Sequence, residues 1–180
     1  MPVTLPPLTL IVGGAASGKS AYAERLMEAT GRPMIYVATA QAFDEEMRAK
    51  IEAHKARRGA GWTTVEAPLD LAAALEASDP DAAVLVDCAT LWLTNHLLAD
   101  HDLASAEAAL VEGLVACPAP VVVVTNEVGA GIVPDNALSR RFRAAQGRLN
   151  QTLATHADRV VTVIAGLPLA LKGGLPEGLE

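Results

Sequence analysis

Five short apolar runs punctuate the chain, at Leu8–Val12, Met34–Ala38, Ala83–Val86, Val121–Thr125 and Val160–Ala165. Four are rich in Val and Ile, and none alternates cleanly with polar residues. Continuous runs of this kind predict strands covered on both faces. The stretches between them carry helical features. Ser20–Thr30 follows a glycine loop and stops at Gly31. Asp44–Arg58 opens on Asp-Glu-Glu and closes on Lys-Ala-Arg-Arg, charges that complement a helix dipole at both ends. Leu69–Ala77, Ala104–Val115 and Asn136–Thr155 are further predicted helices. In the last, Leu138, Phe142, Ala145, Leu149 and Leu153 recur at spacings of three and four and predict one buried stripe. Strands alternating with helices predict a single α/β domain over 1–180, with a mostly parallel central sheet flanked by helices. No internal repeat is present, and Gly173–Glu180, with three glycines and a proline, is expected to fray.

Composition sharpens this. Hydrophobic residues make up 51% of the 180 and charged residues 19%, which excludes a disordered chain. Aromatics are 3%, so the core has to be built from Val, Leu, Ile and Ala. The formal net charge of −7 disfavours non-specific binding of nucleic acid, which needs a basic surface to displace counterions. Two cysteines, Cys88 and Cys117, cannot form a secreted disulfide framework and read as free thiols of a cytoplasmic protein. No apolar run approaches the ~20 residues of a membrane span. Met1–Pro7 lacks the basic start of a signal peptide.

The clearest chemistry lies at Gly13-Gly14-Ala15-Ala16-Ser17-Gly18-Lys19-Ser20, which matches G-x-x-x-x-G-K-[ST] between a predicted strand and a predicted helix. Glycines let backbone N–H groups turn toward a phosphate chain. Lys19 reaches the β- and γ-phosphates, and the Ser20 hydroxyl ligates Mg²⁺. The helix that follows points its positive end at the same anion. The run Ala83-Val84-Leu85-Val86 ends in Asp87, a position suited to holding Mg²⁺ beside such a loop. Taken alone, Asp87 is equally a strand-end turn residue.

Two further constellations leave alternatives open. Met47, Ile51 and His54 share a helix face, which suits a core histidine. Lys50 and Arg57 flank the same imidazole; their charge disfavours a second proton, keeps the ring nucleophilic, and suits a triphosphate. His96, His101 and His156 have no such surroundings and read as packing or surface residues, and the four histidines lack the spacing of a zinc site. Arg140, Arg141, Arg143 and Arg148 follow the stretch Thr125–Pro134, in which Asn126 and Glu127 close a predicted central strand. Ligands gather at the carboxyl ends of parallel strands, so this arginine set is either a ligand-facing surface beside a mobile glycine loop or a solvated helix face.

Across these blocks the sequence resembles the bifunctional adenosylcobinamide kinase / adenosylcobinamide-phosphate guanylyltransferases of cobalamin synthesis. The blocks run in order: 13–20, Tyr-Val-Ala-Thr-Ala at 36–40, Asp-Glu-Glu-Met at 44–47, and 51–57 around His54. Trp62–Glu66, Val86–Asn95, Thr125–Pro134 and Gly147–Gln151 complete them. The resemblance implies a RecA-like P-loop NTPase domain and two reactions at one nucleotide site. ATP or GTP phosphorylates adenosylcobinamide; GTP then donates GMP to that phosphate through a GMP-histidine, giving adenosyl-GDP-cobinamide and pyrophosphate. It implies that His54 is that histidine. It also implies GTP contacts from Gly13–Ser20, Ala38, Thr39, Ala40, Lys55, Ala56, Arg57, Glu66 and Asp87, Mg²⁺ at Ser20 and Asp87, and a homotrimer. Ala16 stands where relatives often carry Arg; a side chain there projects outward, so no loss of phosphate binding is expected. A monofunctional P-loop small-molecule kinase and a P-loop nucleotide switch are the alternatives.

Overall fold

The structure, a computed structural model, describes residues 1–41, 45, 48, 49, 52, 56 and 58–179. Seven strands form one sheet in the order β3-β2-β4-β5-β1-β6-β7. They are β1 (Leu8–Gly13), β2 (Met34–Ala38), β3 (Trp62–Glu66), β4 (Ala83–Asp87), β5 (Val121–Asn126), β6 (Arg159–Ile164) and β7 (Leu167–Lys172). The first six are parallel; β7 returns antiparallel to β6. The five predicted runs are β1, β2, β4, β5 and β6. The central ones, β1, β4 and β5, are buried along almost their whole length, as their unbroken apolar sequence requires.

The two edge strands were not predicted from periodicity. β3 is exposed at every position but one and carries no apolar run; β7 is apolar over 167–171 but exposes most of its residues, and its proline argues against a covered strand. Pro168 within β7 is tolerated because an edge strand can forgo a ladder hydrogen bond. β6 and β7 are joined by Ala165 and Gly166, with φ of 53° and 79°. Two consecutive positive φ values make the tight hairpin whose twist matches the strands, and glycine takes the second position at no steric cost.

The helices are α1 (Lys19–Glu28), α2 (Leu71–Glu76), α3 (Ala89–Leu98), α4 (Leu103–Ala116) and α5 (Ala137–His156). Asp70, Asp102 and Asn136 cap α2, α4 and α5 by accepting from the backbone N–H three residues on. α3 was not predicted. Ala89, Thr90, Trp92, Leu93, Asn95, His96 and Leu97 are all buried, so the helix has no polar face to set a 3.6-residue rhythm. On α5, Ala145, Leu149 and Leu153 are buried as the stripe predicts, whereas Leu138 is 52% exposed, because the first turn runs past the sheet. The predicted helix Asp44–Arg58 falls largely outside the described residues; Glu45, Arg48, Ala49, Glu52 and Ala56 within it are helical.

Two apolar layers sandwich the sheet. One packs β1, β4 and β5 against α2, α3, α4 and α5, around Trp92, Leu71 and Leu149; the other packs the opposite face against α1, around Tyr22, Leu26 and Met27. In the tail, Pro176 is buried, and Leu175 and Leu179 pack on the α1-side layer.

Candidate functional site

The carboxyl ends of the parallel strands form one edge. Register places Gly13 of β1 beside Asn126 of β5, and Ala38 of β2 between Glu66 of β3 and Asp87 of β4. The loop Gly13–Ser20 leaves this edge and turns into α1. Gly18, with φ 93°, stands at the N-cap of α1 and has no side chain to cap it. The first N–H groups of the helix are thus left for a ligand, at the positive end of its dipole. The glycines are sterically required: a Cβ on Gly13 would lie 2.8 Å from the Val163 carbonyl, and one on Gly18 3.0 Å from the Gly166 Cα. The hairpin turn also donates Gly166 N–H to the Ser17 carbonyl at 2.8 Å. Ala15 and Ala16 are exposed on the crest, so a larger side chain at 16 would point to solvent, as the sequence implied. Lys19 folds back over the loop and donates from Nζ to the Gly14 carbonyl at 3.0 Å.

Asp87 closes β4, two strands from the loop. Its Oδ2 accepts from the Tyr36 hydroxyl at 3.2 Å. Burial first, and the Asp87 charge second, push the Tyr36 phenol far above its usual range, so it stays a donor. The Arg58 guanidinium lies 3.5 Å over the Tyr36 ring, and the Trp62 ring meets that ring edge-on at 6.2 Å. Burial lowers the pKa of the Lys19 ammonium, against the pull of Cys88 and Asp87 across the site. The Cys88 thiol is itself pushed up to about 12 by burial and by Asp87. Near neutral pH it is therefore an uncharged, unreactive thiol. Both cysteines are free.

Behind the site runs a polar junction that the sequence did not disclose. Thr39 is fully buried; its Oγ1 accepts from Cys88 N–H and donates to the Cys88 carbonyl, both at 2.8 Å. Asn95, inside α3, donates to the carbonyls of Thr39 and Pro68 at 2.8 and 2.9 Å. The hydroxyl of Thr39 is thus hydrogen-bonded within the β4–α3 junction. A second cluster holds the end of β5. Thr90 Oγ1 accepts from Asn126 N–H at 2.8 Å, and Asn150 Nδ2 donates to the Asn126 carbonyl at 3.0 Å. Asn150 Oδ1 in turn accepts from Thr125 Oγ1 and Gln146 Nε2, at 2.7 and 2.8 Å. Asn95 and Gln146, polar residues inside otherwise apolar helix faces, are the signals that could have revealed this layer.

The glycine-rich stretch after β5 is tied down. Glu127 N–H donates to the Gly13 carbonyl at 3.0 Å, and Glu127 Oε1 accepts from Gly129 N–H. Arg143 donates to the carbonyls of Gly129 and Gly131; Arg140 reaches those of Pro134 and Asp135 at 3.0 and 2.7 Å. Arg140 and Arg143 strap the loop to α5 and, with Arg148, also line a groove beside it. Arg141 approaches Asp100 at 3.9 Å, and Arg148 lines that groove of about 390 Å³ with Val133 and Gln151.

Of the remaining implied contacts, Ala38 and Ala40 are half-buried at the end of β2, and Glu66 is exposed at the end of β3. Ala56 is helical and exposed, whereas His54, Lys55 and Arg57 lie outside the described residues. Ser20 opens α1 directly after Lys19. Among the described residues no three His, Cys, Asp or Glu side chains converge on a metal position. A single carboxylate and a hydroxyl are nonetheless the usual protein share of a Mg²⁺ site, whose other ligands are phosphates and water.

A glycine loop feeding an uncapped helix, with a carboxylate two strands away across the edge of a parallel sheet, defines a P-loop nucleotide-binding protein of the RecA-like type. Solved structures agree at the level of fold. The RadB recombinase superposes with TM-score 0.53 at 19% identity, covering 88% of this chain and 74% of that one. An ATPase of a bacterial type III secretion system does so with TM-score 0.60 at 12% identity, covering 91% and 56%. The family model for cobinamide kinase / cobinamide phosphate guanyltransferase matches residues 9–171, and the chain belongs to that family. It is 48% identical to the bifunctional adenosylcobalamin biosynthesis protein CobP of Pseudomonas aeruginosa, over 91% of this chain and 96% of that protein. It is 42% identical to the bifunctional adenosylcobalamin biosynthesis protein CobU of Salmonella typhimurium, over 92% and 99%. The chain is accordingly an enzyme, a kinase and guanylyltransferase of cobalamin biosynthesis by family. No helix among the described residues is long and apolar enough to cross a membrane.

Proposed function

We propose that residues 1–180 form one domain that carries out two successive transfers at the Gly13–Ser20 loop. In the first, the aminopropanol hydroxyl of adenosylcobinamide attacks the γ-phosphorus of ATP or GTP, and the nucleoside diphosphate leaves. In the second, the neutral imidazole of His54 attacks the α-phosphorus of GTP and pyrophosphate leaves. A phosphate oxygen of adenosylcobinamide phosphate then displaces the imidazole from the bound GMP, giving adenosyl-GDP-cobinamide and restoring the histidine. Splitting the guanylyl transfer this way replaces one difficult displacement with two easier ones.

The observation that carries this reading is the loop itself, with its uncapped helix and Lys19, in a chain that the family model spans over 9–171. Lys19 and the α1 N-terminus hold the triphosphate; Lys55, Arg57 and Glu66 contribute from the second and third strand connections, with the backbone at 38–40. Ser20 and Asp87 would hold Mg²⁺, which supplies neutralising charge at the β- and γ-oxygens. ATP and GTP as donors go with a cytoplasmic location, and a homotrimer with the family resemblance.

The test separates the two steps at one residue. His54→Ala should abolish acid-labile labelling of the protein by GTP carrying label in its α-phosphate, and with it formation of adenosyl-GDP-cobinamide. Phosphorylation of adenosylcobinamide should persist. A folded His54→Ala enzyme that still accumulates covalent GMP, or label mapped to His96, His101 or His156, overturns the reading.

A further inference from the structure

Asn126 is held unusually firmly by its backbone and not at all by its side chain. Its N–H is taken by Thr90 of α3, and its carbonyl by Asn150 of α5. Asn150 is itself fixed by Thr125 and by Gln146, which is fully buried. Three side chains from two helices thus hold the main chain of this one residue, directly or through each other. The Asn126 amide has no such support: Oδ1 is buried with no hydrogen-bond partner among the described residues. A buried acceptor left unmade costs about 1–3 kcal/mol, and such groups in an otherwise satisfied structure call for a reason.

Position supplies one. Asn126 is in register with Gly13, the first residue of the phosphate loop, and the next residue, Glu127, donates to the Gly13 carbonyl. Lys19 Nζ, the group that reaches the β- and γ-phosphates, rests on the carbonyl of Gly14. The γ-end of a bound triphosphate therefore lies at the Gly13–Gly14 end of the loop, the end beside which β5 sets Asn126. Asp87 stands on the opposite neighbour of β5, in register with Val124.

We propose that the Asn126 side chain bridges the two reactants of the kinase step: its amide turns out of the buried position it holds here, so that its N–H donates to a γ-phosphate oxygen while its Oδ1 accepts from the incoming hydroxyl. The inference rests on the reading that the loop binds the triphosphate and the chain phosphorylates a hydroxyl. In that step the acceptor oxygen bonds to the γ-phosphorus and the bond to the β–γ bridging oxygen breaks. The diphosphate leaves and the hydroxyl proton passes to solvent. An amide is suited to this double contact because it offers one donor and one acceptor side by side. Guanylyl transfer has no use for it, since its nucleophiles are an imidazole and a phosphate oxygen, neither of which presents a hydroxyl hydrogen.

Asn126→Ala and Asn126→Asp are the variants, each assayed for nucleotide affinity, phosphorylation of adenosylcobinamide, and guanylyl transfer to chemically supplied adenosylcobinamide phosphate. Asn126→Ala should lower kcat for phosphorylation about 100-fold, the scale set by loss of one donor to a developing anion. Nucleotide Kd should rise about tenfold, the scale of one hydrogen bond lost to the γ-phosphate, and guanylyl transfer at saturating GTP should fall far less than phosphorylation, because only phosphorylation uses the contact from Oδ1 to the hydroxyl. Asn126→Asp keeps the shape but sets a carboxylate against the γ-phosphate, and should phosphorylate more slowly still. Melting temperature should not fall in Asn126→Ala, because no protein hydrogen bond is removed. Phosphorylation unchanged in both variants overturns the proposal. So does a parallel fall of both transfers together with a lowered melting temperature, the mark of a structural role. Wild-type enzyme that transfers GMP but does not phosphorylate refutes the underlying kinase reading, and this proposal with it.

Discussion

Replacing Thr39 by Val tests the polar junction behind the nucleotide site. The two side chains have the same shape, so packing is preserved and only the hydroxyl goes. In the wild type that hydroxyl is fully buried and serves both the N–H and the carbonyl of Cys88 at 2.8 Å. The consequences at the two groups differ. The Cys88 carbonyl also accepts from Trp92 N–H at 3.2 Å, in the first turn of α3. It keeps a partner, and its loss is at the low end, about 0.5–1 kcal/mol. The Cys88 N–H has no second acceptor among the described residues and is left buried and unsatisfied, at about 1–3 kcal/mol. Together these amount to about 3 kcal/mol, which in a chain of this length lowers Tm by about 6–12 °C. Thr39→Ser is the control: it keeps the hydroxyl and gives up one methyl, at about 1 kcal/mol. Thermal unfolding followed by circular dichroism reads Tm, and urea titration should show the same loss as a lower midpoint at unchanged m. A Val variant melting within about 2 °C of wild type, or a Ser variant less stable than Val, would refute the reasoning.

Two further outcomes follow from the geometry. Lys19→Ala should reduce both phosphorylation and guanylyl transfer at least about 100-fold and weaken nucleotide binding, because one ammonium over the loop serves both donors; unchanged rates in either assay would contradict a shared site. His96 is stacked on Trp92 at 4.5 Å, with Nε2 at the Leu69 carbonyl and Nδ1 against His101, and burial foremost lowers its pKa below the usual 6.5. The unfolded chain therefore takes up this proton before the folded one does, so stability is complete above about pH 6.5 and falls as pH drops below it. His96→Phe, which keeps a ring on Trp92 and cannot titrate, should flatten Tm between pH 7.5 and 5.5; a wild-type-like slope in that variant would count against the assignment.

What was legible in the chain was what is local. The phosphate loop, Asp87 at the end of an apolar run, and the covered central strands all follow from residues adjacent in sequence. β3 escaped because an edge strand need not be apolar, β7 because a proline interrupts its apolar residues, and α3 because a helix buried all round has no periodicity to read. The junction around the site was illegible for a different reason. Thr39 meets Cys88 49 residues away and Asn95 56 residues away, and Asn126 depends on Thr90 and Asn150 from either side in sequence. Nothing in a Thr or an Asn taken singly says which distant carbonyl it serves. The arginines of α5 show the same limit: their charge marked them as candidates for a ligand, but nothing local says that two of them also hold loop carbonyls.

The hairpin turn at Ala165 and Gly166 also bears on how this enzyme can be re-engineered. By the usual criteria it is an inviting place to graft a reporter or open a new chain end: it is exposed, it joins two strands at the rim, and it is only two residues long. Such sites should be chosen by what the backbone does rather than by where it lies. Here the Gly166 N–H is the donor to Ser17, and its Cα is the surface against which Gly18 turns. A fusion spliced into that turn would be felt as slack in the phosphate cradle, which suits a designer seeking a ligand-controlled off-switch and no one seeking a silent tag. A tag belongs instead at Asp79–Asp81, ahead of β4, where the chain is exposed and the bond that leaves the turn is an exposed one, from Arg32 to the Pro80 carbonyl.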